Sequence, residues 1–271
     1  MRDLRSDRVA AELDAYFDAA PRADSEPFDT GAFTLFVGRT PSSYYARPSL
    51  SHDGPITPAD LAALEEACVE HCVGLAIEWV REIHPELADV VATRDLEVST
   101  HALMVAPSSG VAAAEVEGVS LRVIDADDPA LPSGRAVADV AFTFGGTATG
   151  FGGPAERDTM AKGLAVDFVE HLRDRHRRGL TVTAVAEDGR GVIAVGSYQP
   201  VGDLAEIVAV ATLPEVRRRG LAGAVTALLA RHAWEHGVPT LLLSAQDDDV
   251  ARIYERVGFR RVGSTHAAER V

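Results

Sequence analysis

Apolar positions recur along the chain at two spacings, and each spacing predicts a different element. Val9, Leu13 and Phe17 stand four residues apart, which predicts an amphipathic helix over 6–19 that stops at Pro21. Further helical patterns cover 58–72, 85–92, 129–140 (which also fits an irregular segment), 156–178, 219–236 and 250–257. Short β-branched runs predict strands at 33–37, 75–80, 97–106, 119–124, 180–186, 191–198, 205–212, 241–244 and 260–264. Turn residues join the three strands between 180 and 212, which predicts an antiparallel meander.

The segments between these elements divide the chain. The Pro- and Ser-rich stretch up to Pro58 predicts a long loop. The run 142–154, FTFGGTATGFGGP, matches no phosphate-binding spacing, and we expect it to be a mobile loop on the substrate side. Helix and strand patterns lapse at Pro107–Gly110, so a domain boundary is expected there, with domains at 1–110 and 117–271.

Charge and composition narrow the choice of partner. The formal net charge is −15 and the pI is about 5.0, which argues against nucleic acid or an anionic membrane as a partner. A cationic or amine substrate fits better. However, Lys162 is the only lysine, and this preference for Arg points to genomic base composition, so the acidity by itself is weak evidence of function.

The two cysteines favour a reduced, cytoplasmic protein. Cys68 and Cys72 are too few for a disulfide framework. They could share a helix face with His71, but no fourth ligand or second CxxC motif is evident, so no metal is expected. The N-terminus lacks the uninterrupted apolar region of a signal peptide, and no apolar run reaches membrane-spanning length.

One stretch, LAEIVAVATLPEVRRRGLA at 204–222, joins an apolar strand to three arginines and a glycine. In one interpretation Thr212–Glu215 is a capping box, a helix begins at Leu213, and the arginines form a solvated face. That places Gly220 inside a helix, at a cost of ~1 kcal/mol relative to Ala. In the other interpretation the helix begins near Arg219 and its first backbone N–H groups face a phosphate.

The pattern Arg217-x-x-Gly220-x-Ala222 after this strand resembles the acyl-CoA-binding signature of the GNAT acetyltransferase superfamily. The later run Tyr254–Phe259 is similar to the closing helix and Gly-Phe stop of that family, and the resemblance extends from Val119 to the C-terminus. It implies an α/β fold whose mixed, mostly antiparallel central sheet is flanked by helices. The N-terminal half repeats part of the element order without the RxxGxA pattern, which suggests a tandem arrangement with a degenerate GNAT-like first half.

The resemblance implies acetyl-CoA as co-substrate and a set of residues that hold it. In the family the pantetheine arm pairs with the strand before the signature, and the pyrophosphate rests on the signature itself. On this chain the corresponding residues are Val210, Ala211 and Thr212 for the arm, and Arg217, Arg218, Arg219, Gly220, Leu221 and Ala222 for the pyrophosphate. Asp247 stands where the family often has an Asn, and its carboxylate would accept a hydrogen bond but repel phosphate.

Two side chains are candidates for the chemistry. Acyl transfer to an amine needs a general base, because an ammonium group titrates near ~10.4. Glu206 resembles the catalytic Glu of the histone-acetyltransferase branch in its placement before Gly220; the alternative is an exposed strand-end carboxylate. Tyr254 lies where the family places a tyrosine near the sulfur, and could protonate the leaving thiolate; the alternative is a core aromatic residue.

Two functions from different classes follow. The first is an acyl-CoA-dependent N-acyltransferase in which a primary amine attacks the thioester directly with help from a general base. The second is a non-catalytic module of GNAT-like fold that binds or senses acyl-CoA. The acceptor would be a small-molecule or peptide amine, and a homodimer is one assembly that the sequence permits.

Overall fold

A computed structural model describes residues 4–38, 44–107, 111 and 115–270, with residues 4–7 described by their backbone alone. These residues form two compact units. The first contains the chain up to Met104, Ser244–Gln246 and the chain from Arg261 onward; the second contains Val105–Leu243 and Asp247–Arg260. The domain boundary was expected at Pro107–Gly110, and residues 108–110 of that stretch lie outside the described residues. The sequence-based second domain included 244–246 and 261–271, which the structure groups with the first unit.

The elements follow one another in the order α1 (Leu4–Arg22), β1 (Ser25–Asp29), β2 (Phe33–Gly38), β3 (Tyr44–Pro48), α2 (Pro58–Glu70), β4 (Ala76–Val80), α3 (Leu87–Val91), β5 (Glu97–Pro107), β6 (Ser120–Ile124), α4 (Leu131–Thr143), α5 (Pro154–Gly163), α6 (Val166–Arg177), β7 (Val182–Asp188), β8 (Gly191–Val201), β9 (Leu204–Thr212), a 3₁₀ turn (Pro214–Val216), α7 (Leu221–Glu235), β10 (Thr240–Ala245), α8 (Asp248–Val257) and β11 (Arg260–Glu269). The described helices include none that is long and apolar enough to cross a membrane.

The sheet of the first unit runs in the order β1-β2-β3-β4-β11-β5. Neighbours from β1 to β3 are antiparallel, β3 and β4 are parallel, and β4 and β11 are antiparallel. One core cluster lies on the face of the sheet where Phe33, Leu35 and Trp79 are fully buried together with Leu61 and Leu64 of α2. The mostly antiparallel α/β architecture predicted from the sequence is confirmed.

Two strands of the first unit, β1 and β3, form where the sequence predicts none. In β3, Arg47 is buried because its guanidinium donates to the Asp14 carboxylate at 3.0 Å, and this ion pair replaces the apolar residue that a strand pattern needs. Strand β1 is mostly exposed and contains Pro27, as edge strands often do. Helix α1 is also longer than predicted, because it continues through Pro21 to Arg22.

The second unit contains the predicted meander. Strands β6 to β9 pair antiparallel in sequence order, and β10 joins β9 in parallel. Helices α4 and α7 cover opposite faces of this sheet: a Cβ on Gly134 of α4 would contact Val195, whereas Val225 of α7 approaches the next residue, Gly196. The meander therefore lies between two helical layers.

The long helix predicted over 156–178 is wrong. The chain forms α5 and α6, separated by Leu164 and Ala165, which are extended at ψ 131° and 140°. The expected inward-facing Met160 is 40% exposed, and α6 has no fully buried side chain. The apolar pattern continued across the break because both helices rest partly buried on the unit, so the pattern did not reveal where the backbone turns.

Gly196 of β8 lies directly against side chains of α7. A Cβ there would lie 2.9 Å from Val225 Cγ1 and 3.1 Å from Leu229 Cδ1. We expect Gly196→Ala to lower the free energy of unfolding by about 1–3 kcal/mol, because the added methyl overpacks this contact. Chemical denaturation would measure the change. The control is Gly189→Ala, whose Cβ would meet nothing within 4 Å; equal losses in both variants would contradict the packing argument.

Candidate functional site

Strands β9 and β10 pair over a short register and then part. Their described pairs are Leu204 with Thr240, Ala205 with Leu241, and Glu206 with Leu242. Strand β9 continues to Thr212 beyond the last of these pairs. The β10-facing edge of β9 therefore offers backbone N–H and C=O groups to a ligand, because an extended chain can add to such an edge as a strand does.

The same part of β9 carries a β-bulge. Ser197 pairs with Val208 and Val195 with Ala211, so Ala209 and Val210 together oppose the single residue Gly196. Ala209 has φ 53°, a left-handed conformation that is uncommon for a residue with a Cβ. Bulges and strained residues of this kind occur preferentially beside functional sites, where they redirect backbone groups. The bulge is not among the features predicted from the sequence, although a glycine inside an apolar strand, here Gly196, is a recognised signal for one.

The segment after β9 is a turn, so the capping-box interpretation is wrong. A 3₁₀ turn at Pro214–Val216 is followed by Arg217 in an extended conformation at ψ 165°. Arg218 and Gly220 then have positive φ angles of 69° and 80°, and regular helix begins only at Leu221. The backbone thus takes a left-handed conformation at two positions before it enters α7.

The N-terminus of α7 is open. Its N-cap is Gly220, which provides no side-chain cap, and its first turn contains no acidic residue. The first N–H groups of a helix have no partner within it and carry the positive end of the helix dipole, so an anion is favoured here. A Cβ at Gly220 would meet nothing within 4 Å, and Arg218 and Arg219 are exposed beside it.

The corresponding helix of the first unit, α2, has a capped N-terminus. Thr57 and Asp60 form a capping box: the Thr57 side chain accepts from the Asp60 N–H, and the Asp60 carboxylate accepts from the Thr57 N–H at 2.8 Å. Hydrogen bonds from Thr57 hold the pKa of Asp60 below its usual range. A negatively charged side chain therefore already occupies the place that an anion would take.

Arg217 has a different role from the one predicted. We expected its charge to face a phosphate, but its guanidinium donates to four backbone carbonyls: Ala141 at 2.8 Å, Gly145 at 2.8 Å, Ala148 at 3.0 Å and Thr212 at 3.3 Å. Burial lowers its pKa from the ordinary value. The side chain connects the end of β9 with α4 and with the glycine-rich segment.

The glycine-rich segment, residues 142–154, is attached to the turn at Pro214–Val216. Besides the bonds to Arg217, the Gly150 N–H donates to the Pro214 carbonyl at 3.1 Å, and the Glu215 N–H donates to the Gly152 carbonyl at 3.0 Å. A Cβ on Gly152 would lie 2.8 Å from Val140 Cγ1 and 3.0 Å from Pro214 Cγ, so any other residue here would force these neighbours to shift. The free loop expected from the sequence is thus an anchored one, with Phe151 95% exposed on its surface.

The two catalytic candidates lie in different surroundings. Glu206 is half-buried in the interior of β9, opposite Gln199 on β8, which is more enclosed than the exposed strand end of the alternative interpretation. Tyr254 is only 8% exposed, and its ring meets the Phe259 ring edge-on at 6.1 Å. Burial raises the pKa of Tyr254 to about 12, so its hydroxyl keeps its proton at neutral pH.

Asp247 has a structural task. Its carboxylate accepts the Val250 N–H at 2.8 Å and so caps α8. At the other end of that helix Gly258 adopts the predicted left-handed conformation at φ 118°. The cap explains the acid at this position without a cofactor, and contact of Asp247 with a cofactor stays a prediction.

Comparisons with known proteins agree with the fold. Residues 194–270 match the model of the FR47-like protein family. A GCN5-related N-acetyltransferase from Kribbella flavida is 19% identical, with 96% of this chain and 95% of that chain covered at a TM-score of 0.69. A tandem GNAT protein from the clavulanic acid biosynthesis pathway is 15% identical over 88% of this chain and 78% of that one, at a TM-score of 0.56. None of the curated proteins compared matches the sequence.

Replacement of Arg217 tests its anchoring role. Arg217→Lys keeps the charge but loses the planar fork, so we expect a loss of about 1–3 kcal/mol in the free energy of unfolding. Amide hydrogen exchange should become faster at Gly150 and Glu215, whose N–H groups hold the glycine-rich segment to the turn. Arg218→Lys, on an exposed neighbour, is the control. Unchanged exchange in Arg217→Lys would show that the segment is held without this side chain.

Proposed function

Since the chain has the fold of the GNAT superfamily, we propose that it is an acyl-CoA-dependent N-acyltransferase, with acetyl-CoA as donor and a primary amine as acceptor. The observation that carries the proposal is the combination of a bulged, partly unpaired β9 with the open N-terminus of α7. The edge of β9 suits an extended arm with amide groups, and the N-terminus of α7 suits a pyrophosphate. Coenzyme A is a ligand that has both.

The residues present fit this ligand. The backbone of Val210, Ala211 and Thr212 would pair with the pantetheine amides, since it lies beyond the last described pair of β9 with β10. Thr212 Oγ1 is buried without a hydrogen-bond partner in the described structure, and a bound polar group would supply one. The N–H groups from Gly220 to Ala222 would face the pyrophosphate, with Arg218 and Arg219 adding charge.

Glu206 is the proposed base. It would take a proton from the acceptor ammonium, directly or through a water molecule, and leave a neutral amine that can attack the thioester carbonyl. A C–N bond forms, the C–S bond breaks, and the sulfur leaves as a thiolate. Tyr254 would then give a proton to that sulfur. Glu206, after passing its first proton to water, would take the second proton from the amide nitrogen, and water would restore the proton of Tyr254. The high pKa of the tyrosine suits a group that must be protonated before transfer.

The alternative is a module that binds acyl-CoA without turnover. Two observations favour it: Tyr254 is almost fully buried, and the Asp247 carboxylate is occupied as a helix cap. Both functions share the binding geometry. They differ in whether addition of an amine releases free thiol from acetyl-CoA.

Replacement of Glu206 separates the two functions. In a thiol-release assay with acetyl-CoA and a panel of amines, Glu206→Gln should lower the rate by ~10²–10⁴-fold, the usual contribution of a general base. Acetyl-CoA affinity should stay close to that of the wild type. Asp203→Asn, the same chemical change in the β8–β9 turn, is the control. Tight binding of acetyl-CoA without thiol release by any amine would instead support the binding module.

Gly220 tests the pyrophosphate cradle. Gly220→Ala introduces a Cβ at φ 80°, and we expect the strained turn to move the N–H groups of α7 and to weaken acetyl-CoA binding about tenfold. Gly237→Ala is a matched control, because Gly237 follows the other end of α7, has φ 85° and is equally open. Calorimetric titration would measure both. An equal loss of affinity in the two variants would attribute the effect to general destabilisation and remove the cradle.

A further inference from the structure

The first unit contains a cavity of about 470 Å³, within the size range of small-molecule sites. Every residue that lines it belongs to the first unit. The polar members are Glu78, Ser99, His101, Ser244, Gln246 and Glu269. The remainder are three alanines and one isoleucine, so the lining contains two carboxylates and no Lys or Arg.

The strand register explains why the polar residues share one side. In the antiparallel pair of β4 with β11, Glu78 stands opposite Ala267, and Glu269 stands opposite Ala76. Residues opposite each other lie on the same face, while the intervening Ile77 is 1% exposed in the core of the other face. The two carboxylates thus occupy diagonal positions, which are ordinarily separated by roughly 7–8 Å.

Hydrogen bonds fix the hydroxyl groups of the wall. Ser99 Oγ donates to the Ala267 carbonyl at 3.4 Å, and Thr265 Oγ1 lies 3.1 Å from Ser244 Oγ. When Thr265 donates in that pair, Ser244 retains its own proton for a ligand. The cavity therefore offers placed hydroxyl groups as well as negative charge.

The charge of Glu78 is only weakly compensated by the protein. Among the described residues it forms a long ion pair with Arg47, whose Nη1 lies 4.0 Å from Oε2. Arg47 is already paired with Asp14 at 3.0 Å, in an ion pair whose two side chains are 3% and 6% exposed. The side chain of Glu78 is 50% exposed and can turn toward a cation in the cavity. Arg47 therefore mainly compensates the charge of Asp14. The negative charge of Glu78 is left largely uncompensated by Arg47.

We propose that this cavity binds a small organic cation with two ammonium groups. Glu78 and Glu269 would accept charge-assisted hydrogen bonds from these groups, and the side-chain oxygens of Ser244 and Gln246 would accept further ones. A metal ion fits less well, because the described residues contain no group of three or more His, Cys, Asp or Glu placed to hold one. The volume of the cavity is also far larger than a single metal ion occupies.

The site gives the first unit a function of its own, beyond the acyl transfer proposed for the second. Helix α2 is capped by Asp60 and offers no cradle for a phosphate. A recognition site for a cation needs no such cradle. Cation binding in this cavity does not depend on acyl-CoA, because all residues that line the cavity belong to the first unit.

Calorimetric titration of the full chain with putrescine, a diamine, tests the proposal. We expect binding that weakens as salt is raised, and affinities roughly tenfold lower in Glu78→Gln and in Glu269→Gln. The matched control is Glu97→Gln, an exposed carboxylate of β5 that does not line the cavity and should bind as the wild type does. Thermal unfolding of each variant verifies that it is folded.

Three results would overturn the proposal: no binding of putrescine, equal binding of the neutral analogue 1,4-butanediol, or wild-type affinity in both cavity variants. Acetyl-CoA titration of the same variants keeps this outcome apart from the proposed transferase function. The cavity substitutions should leave acetyl-CoA affinity unchanged, whereas Gly220→Ala should leave putrescine affinity unchanged. If one cavity variant lost affinity for both putrescine and acetyl-CoA, that would indicate misfolding, which the thermal measurement detects. Ser244→Ala would then replace that variant.

Discussion

Four hydrogen bonds from Arg217 hold together the parts of the second unit that form the candidate site. The guanidinium reaches carbonyls at the end of β9, in α4 and in the glycine-rich segment. Because these acceptors come from three separate stretches of chain, the side chain fixes the turn that precedes α7. A turn that leaves the helix N-terminus open needs such support, since two of its residues have positive φ angles. The arginine thus positions the backbone of the candidate site.

The two units show how one element order can serve two purposes. Helices α2 and α7 each follow a short meander, yet Thr57 and Asp60 close the first while Gly220 leaves the second open. A carboxylate at a helix N-terminus stabilises the helix and excludes an anion from the same place. The capping box therefore stabilises α2 at the place where an anion would bind. The polar cavity of the first unit lies on other strands, β4, β5 and β11, with residues 244–246.

Local patterns located most of the elements, and particular residues explain the failures. Strand β3 escaped prediction because the burial of Arg47 depends on Asp14, which is 33 residues away in the chain. The break between α5 and α6 escaped because the apolar pattern does not report where a backbone leaves the helical region. The bulge at Ala209 needs the register of β8 against β9, although Gly196 gave a signal that could have been used.

The sequence by itself determined the order of most elements and the turn-forming glycines. It also showed that residues 217–222 resemble a phosphate-binding signature. Those features depend on neighbours within a few residues, where propensity and periodicity act. Only the tertiary structure decided that Arg217 serves carbonyls 5 to 76 residues away, and that Glu78 and Glu269 share a cavity. The physical reason is that packing between distant segments determines which group pairs with a buried charge. Local patterns in a single sequence do not show which distant segments pack together.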